Sequence, residues 1–243
     1  MQASVVGELD IHRFVCESID SAPDATGIYA WYGVPRIGVA DWKDLTSGER
    51  RLRDLLRRHT ERMMDQPIRL HARSRFGATW DGEMVNTTLR YLAAALSGVP
   101  IEKKNETEDE SEDSVRAPKL QDSLKHESTR SVLVSALQAC APIFSTPLYI
   151  GVADKLRRRL REHREELYEY DEAVTSGKWT RDAVRFRGSF AARAVGADFS
   201  PDQLVVYAWN LEPLAPEISD LRDLAEALEW LLNRWNRPVF GRR

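Results

Sequence analysis

The sequence predicts an α+β protein. Short runs rich in β-branched and aromatic residues read as strands: GIYAWY (27–32), TPLYIG (146–151), VRFRGSFAARAV (184–195) and QLVVYAWNL (203–211). Longer segments near 48–65, 155–170 and 217–236 read as helices, the first and last with apolar residues at helical spacing. A long middle, from residue 34 to 144, carries helical signals and a strongly acidic stretch.

Taken in order, residues 8–19 alternate loosely and predict a short helix. GIYAWY follows the turn-prone SAPDATG, which fits the start of a strand. GVPRIGVADWKDLTSG is rich in Gly, Pro and Asp and reads mostly as loop. The helix near 48–65 sets Leu52, Leu55, Leu56, Met63 and Met64 on one stripe, with arginines opposite. Segment 68–82 gives no clear period. Residues 83–97 predict a helix stopped by Gly98 and Pro100, and 128–141 predict another up to Pro142. After the strand at 146–151, Asp154 is placed to cap the helix 155–170 by accepting from its first backbone N–H groups. The final helix ends before Pro238, with Leu224, Leu228, Leu231 and Leu232 as its core stripe.

The bulk numbers bound the function. At 243 residues and 42% apolar content, one elaborated domain can build its own core. No apolar run approaches the roughly 20 residues of a membrane span. The N-terminus lacks the basic and then apolar pattern of a secretory signal. Cys16 and Cys140 have neither CxxC nor His spacing, which argues against a disulfide framework or a zinc site. A cytoplasmic protein with reduced thiols is the expectation. The net charge of −3 hides a strong asymmetry. Residues 101–114, with seven acids and two bases, contribute −5, so the rest of the chain is at +2. Residues 155–164, KLRRRLREHR, hold six bases and one acid; residues 50–62 hold six arginines and two acids. Such local patches, rather than the total, decide whether phosphate is attracted. The tract 102–116 has no apolar face to bury and is expected to be disordered.

Four elements carry a resemblance. GIY stands at 27–29 and YIG at 149–151. After the second, YIGVADKLRRRLREH sets Arg159 ten residues beyond Tyr149 and His163 four further on. The last helix reads EWLLNRWNRPVFG, with Glu229, Leu232 and Pro238 at the spacing E-x-x-L-x-x-x-x-x-P. In this order and spacing the chain resembles the GIY-YIG endonuclease superfamily over roughly residues 20–33 and 145–243. It departs in two places. About 115 residues separate the tyrosines, where most members have a short hairpin, and Gly241 stands where the family has Asn. Lengthening a hairpin tip costs little closure entropy. Asn233 and Asn236 are the nearby alternatives to the missing amide.

The resemblance implies a single domain over 1–243. It would have a small, mainly antiparallel sheet flanked by helices, with a helical insertion at 34–144 between the first two strands. It implies hydrolysis of DNA phosphodiester bonds with Mg²⁺ or Mn²⁺. Glu229 would hold the cation, since a hard cation takes a carboxylate plus water. Arg159 would clamp the phosphate with its planar fork of donors. Arg159 and His163 are i and i+4 and share a helix face. One of Tyr29 and Tyr149 would act as general base and the other would orient the nucleophile; His163 would move a proton or bind phosphate. Lys155, Arg157, Arg158 and Arg161 would bind nucleic acid. Members with large insertions serve in restriction, so a role in restriction or phage defence is the nearest analogy, with DNA, a partner protein of such a system and a homodimer as possible partners.

Each residue also has an ordinary reading. A strand tyrosine usually packs with its hydroxyl near the surface, and only the conjunction with Arg159 and Glu229 argues otherwise. The arginine run could be a solvated face with pairs such as Arg161–Glu165, and Glu226 rivals Glu229, although the spacing to Pro238 favours the latter. The second functional reading is a nucleic-acid-binding protein on a nuclease scaffold that no longer cuts; the third is an interaction module without nucleic-acid affinity.

Overall fold

The computed structural model describes residues 10–44, 47–63, 68–73, 79–84, 92–93, 96–97, 119–120, 122–214 and 221–241. The expected helix at 83–97 falls largely outside these residues, and the acidic tract 102–116 wholly so. The chain divides into two compact units: Met1–Val34 with Ala141–Arg243, and Pro35–Cys140.

The first unit is built on a four-stranded antiparallel sheet. Its strands are β1 (Asp10–Val15), β2 (Gly27–Gly33), β5 (Tyr149–Ala153) and β6 (Leu204–Asn210), in the order β1-β6-β2-β5. The expected α+β class and antiparallel sheet are therefore present. β2 and β6 are central, and their apolar runs are buried nearly end to end. Residues directly opposite in an antiparallel pair point to the same face. Tyr29 is opposite Gly151 on β5 and Ala208 on β6, and Trp31 is opposite Tyr149. One face of the sheet thus carries Tyr29, Trp31 and Tyr149, while the other carries Ile28, Ala30 and Ile150.

Helices cover both faces. α4 (Leu156–Thr175) and α6 (Phe190–Gly196) pack together, and their buried residues include Leu160, His163 and Phe190. Phe190 stacks at 5.3 Å, between ring centres, on both Trp31 and Tyr149 of the first face. On the second face, α7 (Leu221–Asn236) buries Ala225 against Ile28, Ala30 and Ile150, with Leu228 and Leu232 packed alongside. Leu224 is not part of this core, contrary to expectation: it is 37% exposed, because the buried stripe passes through Ala225.

Three local readings change. Residues 10–15 form an edge strand followed by a 3₁₀ turn at Cys16–Ser21 rather than a helix, since pairing with β6 supplies backbone partners that a loose alternation does not advertise. The stretch 184–195 is not a strand. It spans the end of α5 (Arg181–Arg185) and most of α6, which are capped by Thr180 accepting from Ala183 N at 3.2 Å and Ser189 accepting from Ala192 N at 3.1 Å. Between them Gly188 takes φ +82°, a turn conformation that glycine adopts without steric cost. Asp154 does not cap α4. The N–H groups of Leu156 and Arg157 are instead taken by the carbonyls of Ala25 and Pro23, which frees the Asp154 carboxylate to accept from Arg222 at 3.1 Å.

The second unit holds α1 (Val39–Lys43), α2 (Gly48–Met63) and much of α3 (Glu127–Phe144), which continues past Pro142 instead of stopping there. Leu52, with Leu55 and Leu56 alongside, packs on Ile37, Leu124 and Val134, so the expected stripe of α2 is its core face. Arg130 is buried and is satisfied by the carbonyls of Trp42, Leu124 and Lys125. The unit is not purely helical: β3 (Ile68–Arg73) and β4 (Thr79–Met84) pair as an antiparallel ladder. Among the described residues no helix is long and apolar enough to cross a membrane. Cys16 is a buried free thiol and Cys140 an exposed one.

Candidate functional site

Because side chains alternate along a strand, the register decides which groups meet. Tyr29 and Tyr149 sit diagonally on adjacent strands of the same face, and their ring centres are 6.1 Å apart. The two rings can approach because Gly151 lies opposite Tyr29. A Cβ there would stand 2.7 Å from the Tyr29 hydroxyl and 2.8 Å from Cε1 of Tyr149. Gly27 serves a parallel purpose at the start of β2, where a Cβ would meet the Trp209 carbonyl oxygen at 2.1 Å. Both glycines of the sequence motif thus mark close approaches rather than flexible turns.

α4 adds the charged and basic groups. Its inward stripe places His163 beneath the phenols, and the Tyr29 hydroxyl is 2.9 Å from His163 Nε2. Tyr29 is 1% exposed, His163 2% and Tyr149 8%. Burial among Trp31, Tyr149 and Phe190, then the charge on Arg159, lowers the His163 pKa to about 3, so its imidazole is neutral at physiological pH. Burial also raises the Tyr29 pKa, and the neighbouring Tyr149 adds to this; Arg159, within hydrogen-bonding reach, works against it. Tyr29 is therefore a neutral phenol beside a neutral imidazole, with a guanidinium next to it. In that geometry the phenol and Nε2 share one hydrogen bond, and the hydroxyl oxygen keeps a lone pair for a donor on its other side.

A cavity of about 340 Å³ opens over these groups. Tyr29, Tyr149, Arg159 and Glu229 all line it. They come from β2, β5, α4 and α7, and the cavity wraps the outer edge of the sheet, where β5 has no further partner strand among the described residues. His163 does not reach the wall and acts from behind Tyr29. Arg159 donates to Glu162 at 2.8 Å, and Arg158 lies 3.8 Å from the same carboxylate. The anticipated pairing of Arg161 with Glu165 is replaced by Asp20, which accepts from Arg161 at 2.5 Å and from Arg164 at 2.9 Å.

The expected basic surface therefore splits. Lys155 and Arg158 line the cavity. Arg157 and Arg161 do not: Arg157 donates to the Ala22 carbonyl at 2.6 Å and Arg161 pairs with Asp20, so both tie α4 to the segment before β2. Neither alternative asparagine lines the cavity. The amides of Asn233 and Asn236 donate to the carbonyls of Glu229 and Leu232, one turn back along their own helix. Glu226, the rival of Glu229, also lies off the wall and pairs with Arg222 at 2.6 Å.

Asp154, Glu162 and Arg222 line the cavity without having been singled out from sequence as site residues. Arg222 had a usable signal. It lies seven residues before Glu229, two helical turns, and so on the same stripe. Asp154 lacked one, since its position after a strand and before a helix is the ordinary place for a cap. Among the described residues no group of three or more His, Cys, Asp or Glu is gathered to hold a metal. The cavity lining includes the carboxylates of Glu229, Asp154 and Glu162; Asp154 accepts from Arg222 and Glu162 from Arg159. Searches of protein-family models, of curated proteins and of solved structures found no match to this chain.

Proposed function

We propose that this chain is a metal-dependent endonuclease of the GIY-YIG type that hydrolyses DNA phosphodiester bonds. The observation that carries the reading is the gathering of Tyr29, Tyr149, Arg159 and Glu229, residues up to 200 positions apart, on the wall of one cavity. The resemblance grouped those four together, and chance strand tyrosines have no reason to meet a guanidinium and a carboxylate from two further elements.

In this reading Arg159 and Arg158 hold the phosphate that enters the cavity. Tyr29, fixed by its hydrogen bond with His163 Nε2, accepts the proton of the attacking water as a phenolate that the adjacent Arg159 guanidinium favours. Tyr149 orients the water. Glu229 fits a hard divalent cation such as Mg²⁺, which takes one carboxylate and keeps much of its water. When bound, that cation supplies positive charge against the phosphoryl oxygens. Restriction or defence against phage is the biological setting we favour, by analogy with insertion-bearing nucleases.

A nucleic-acid-binding protein that does not cut is the second reading, and the asparagine amides turned onto their own helix favour it. Incubation with supercoiled plasmid, linear duplex and RNA, with and without Mg²⁺ or Mn²⁺, separates the two. The nuclease nicks or linearises plasmid only with metal. Glu229→Ala should lower cleavage by about 10²–10³-fold or more while leaving the thermal transition in place. Arg159→Ala should match that loss and also weaken DNA binding. Undiminished cleavage by Glu229→Ala would eliminate the assignment, and salt-dependent DNA binding without cleavage in any metal would establish the second reading.

A further inference from the structure

Beyond the cavity, the stretch Gly177–Gly188 that leads from α4 into α6 carries aromatic and basic side chains with an unusual arrangement. The Arg187 guanidinium lies 3.8 Å above the centre of the Trp179 ring, and Lys178 Nζ lies 5.2 Å from the same centre. Trp179 is itself braced by Tyr170, with ring centres 5.9 Å apart. Among the described residues neither Lys178 nor Arg187 has a carboxylate partner, whereas Arg158, Arg159, Arg161, Arg164 and Arg181 all do. Phe186, next to Arg187 in the chain, is 88% exposed. An exposed ring followed in the chain by a cation without a carboxylate partner offers a base a face to stack on and its phosphate a counter-charge.

Position relates this surface to the cavity. Phe186 is four residues before Phe190, whose ring stacks on Tyr149 at 5.3 Å. Four residues of chain reach at most about 14 Å. At about 3.4 Å per nucleotide along one strand, that is roughly four nucleotides.

We propose that Lys178, Trp179, Phe186 and Arg187 form a second nucleic-acid contact, in which Phe186 stacks on an unpaired base and Lys178 and Arg187 bind the flanking phosphates. The pairing of stacking ring and uncompensated cations is the chemistry by which single strands are held without sequence preference. The partner is thus DNA with an unpaired segment a few nucleotides from the scissile bond: a fork, a flap or a bulge. The inference rests on the nuclease reading for its choice of partner, and the test keeps the two apart.

The full chain, without divalent metal, is titrated against labelled duplex, forked duplex and single-stranded DNA. Wild type should prefer the forked and single-stranded probes. Phe186→Ala should weaken binding to those two by about tenfold, with little effect on duplex. Arg187→Gln should weaken binding to all three and reduce the salt dependence by about one ion. If wild type binds and cuts DNA while Phe186→Ala binds every probe as wild type does, the contact is refuted and the nuclease stands. If wild type binds no DNA, both fall. Displacement of DNA from wild type but not from Phe186→Ala by an acidic polyglutamate peptide, with no difference on forked DNA, would reassign the surface to a protein partner and overturn the proposal. Because Phe186 makes so little buried contact, its replacement leaves folding intact.

Discussion

At Gly151 a methyl group would stand within 3 Å of both phenols. Residue-scale space, rather than a hydrogen bond, is what lets Tyr29 and Tyr149 share one face. Gly151→Ala must push Tyr29 off His163 Nε2 or part β2 from β5, since the nearest atoms belong to the Tyr29 ring, packed on His163, and the Tyr149 ring, packed on Phe190. Overpacking of this kind costs about 1–3 kcal/mol. The expected outcome is a lowered urea midpoint together with a loss of cleavage larger than the stability change explains, measured at a temperature where the variant is fully folded. A variant with wild-type turnover would show that the contact between the phenols and His163 is dispensable. The sequence displayed both tyrosines and both glycines. What it did not display is the job of each glycine, because that job lies in the atom opposite, and the register that chooses the atom is set by pairing between distant strands.

At the scale of elements, α4 and α6 do the positioning. α4 turns Leu156, Leu160, His163 and Leu167 inward and keeps Arg158 and Arg159 at the cavity, so the shared face expected for Arg159 and His163 divides between wall and interior. α6 was hidden, because VRFRGSFAARAV has the alternation and β-formers of a strand. Two caps overrule it, and the small residues AARA pack closely where a strand would need branched ones. Ser189→Ala removes the acceptor for Ala192 N, and an N-cap loss costs about 1 kcal/mol. Since Phe190 directly follows the cap and stacks on Tyr149, this substitution should also loosen the site. Hydrogen exchange should show reduced protection in residues 190–196 and, to a lesser degree, at 149–151. Unchanged protection would mean that packing of Ala191, Ala192 and Ala194 holds α6 without its cap.

For the molecule as a whole, the buried His163 and the half-buried His59 set the response to acid. His163 falls from the ordinary value near 6.5 to about 3, and His59 of the second unit to about 4, each chiefly through burial. Between those values and 6.5 the unfolded chain binds protons that the folded chain refuses, so stability is greatest above pH 6.5 and is lost as the pH falls. The loss approaches about 1.4 kcal/mol per group for each pH unit below 6.5. Asp20, whose pKa is lowered by hydrogen bonds from Arg164 and Arg161, adds to acid sensitivity at lower pH. Urea midpoints should therefore be lower at pH 5 than at pH 7, and His163→Gln should shrink the difference relative to its own pH 7 value. Equal midpoints at the two pH values in the wild type would mean that the folded protein accommodates a charged His163.

By itself the sequence determined the class of fold and the inward face of α2, which follow from local period and survive in a linear string. The grouping of Tyr29, Tyr149, Arg159 and Glu229 came from the resemblance to a known family. Only tertiary structure decided that β1 is a strand, that Asp154 serves the cavity rather than a helix end, and that Arg157 and Arg161 bind the chain's own Ala22 and Asp20 instead of facing the cavity. It also decided that Arg222 joins the site and that Arg187 rests on Trp179. The physical reason is common to all of these. A backbone or charged group takes whichever partner folding brings within hydrogen-bonding distance, and for these residues that partner lies on another element, beyond the reach of local pattern.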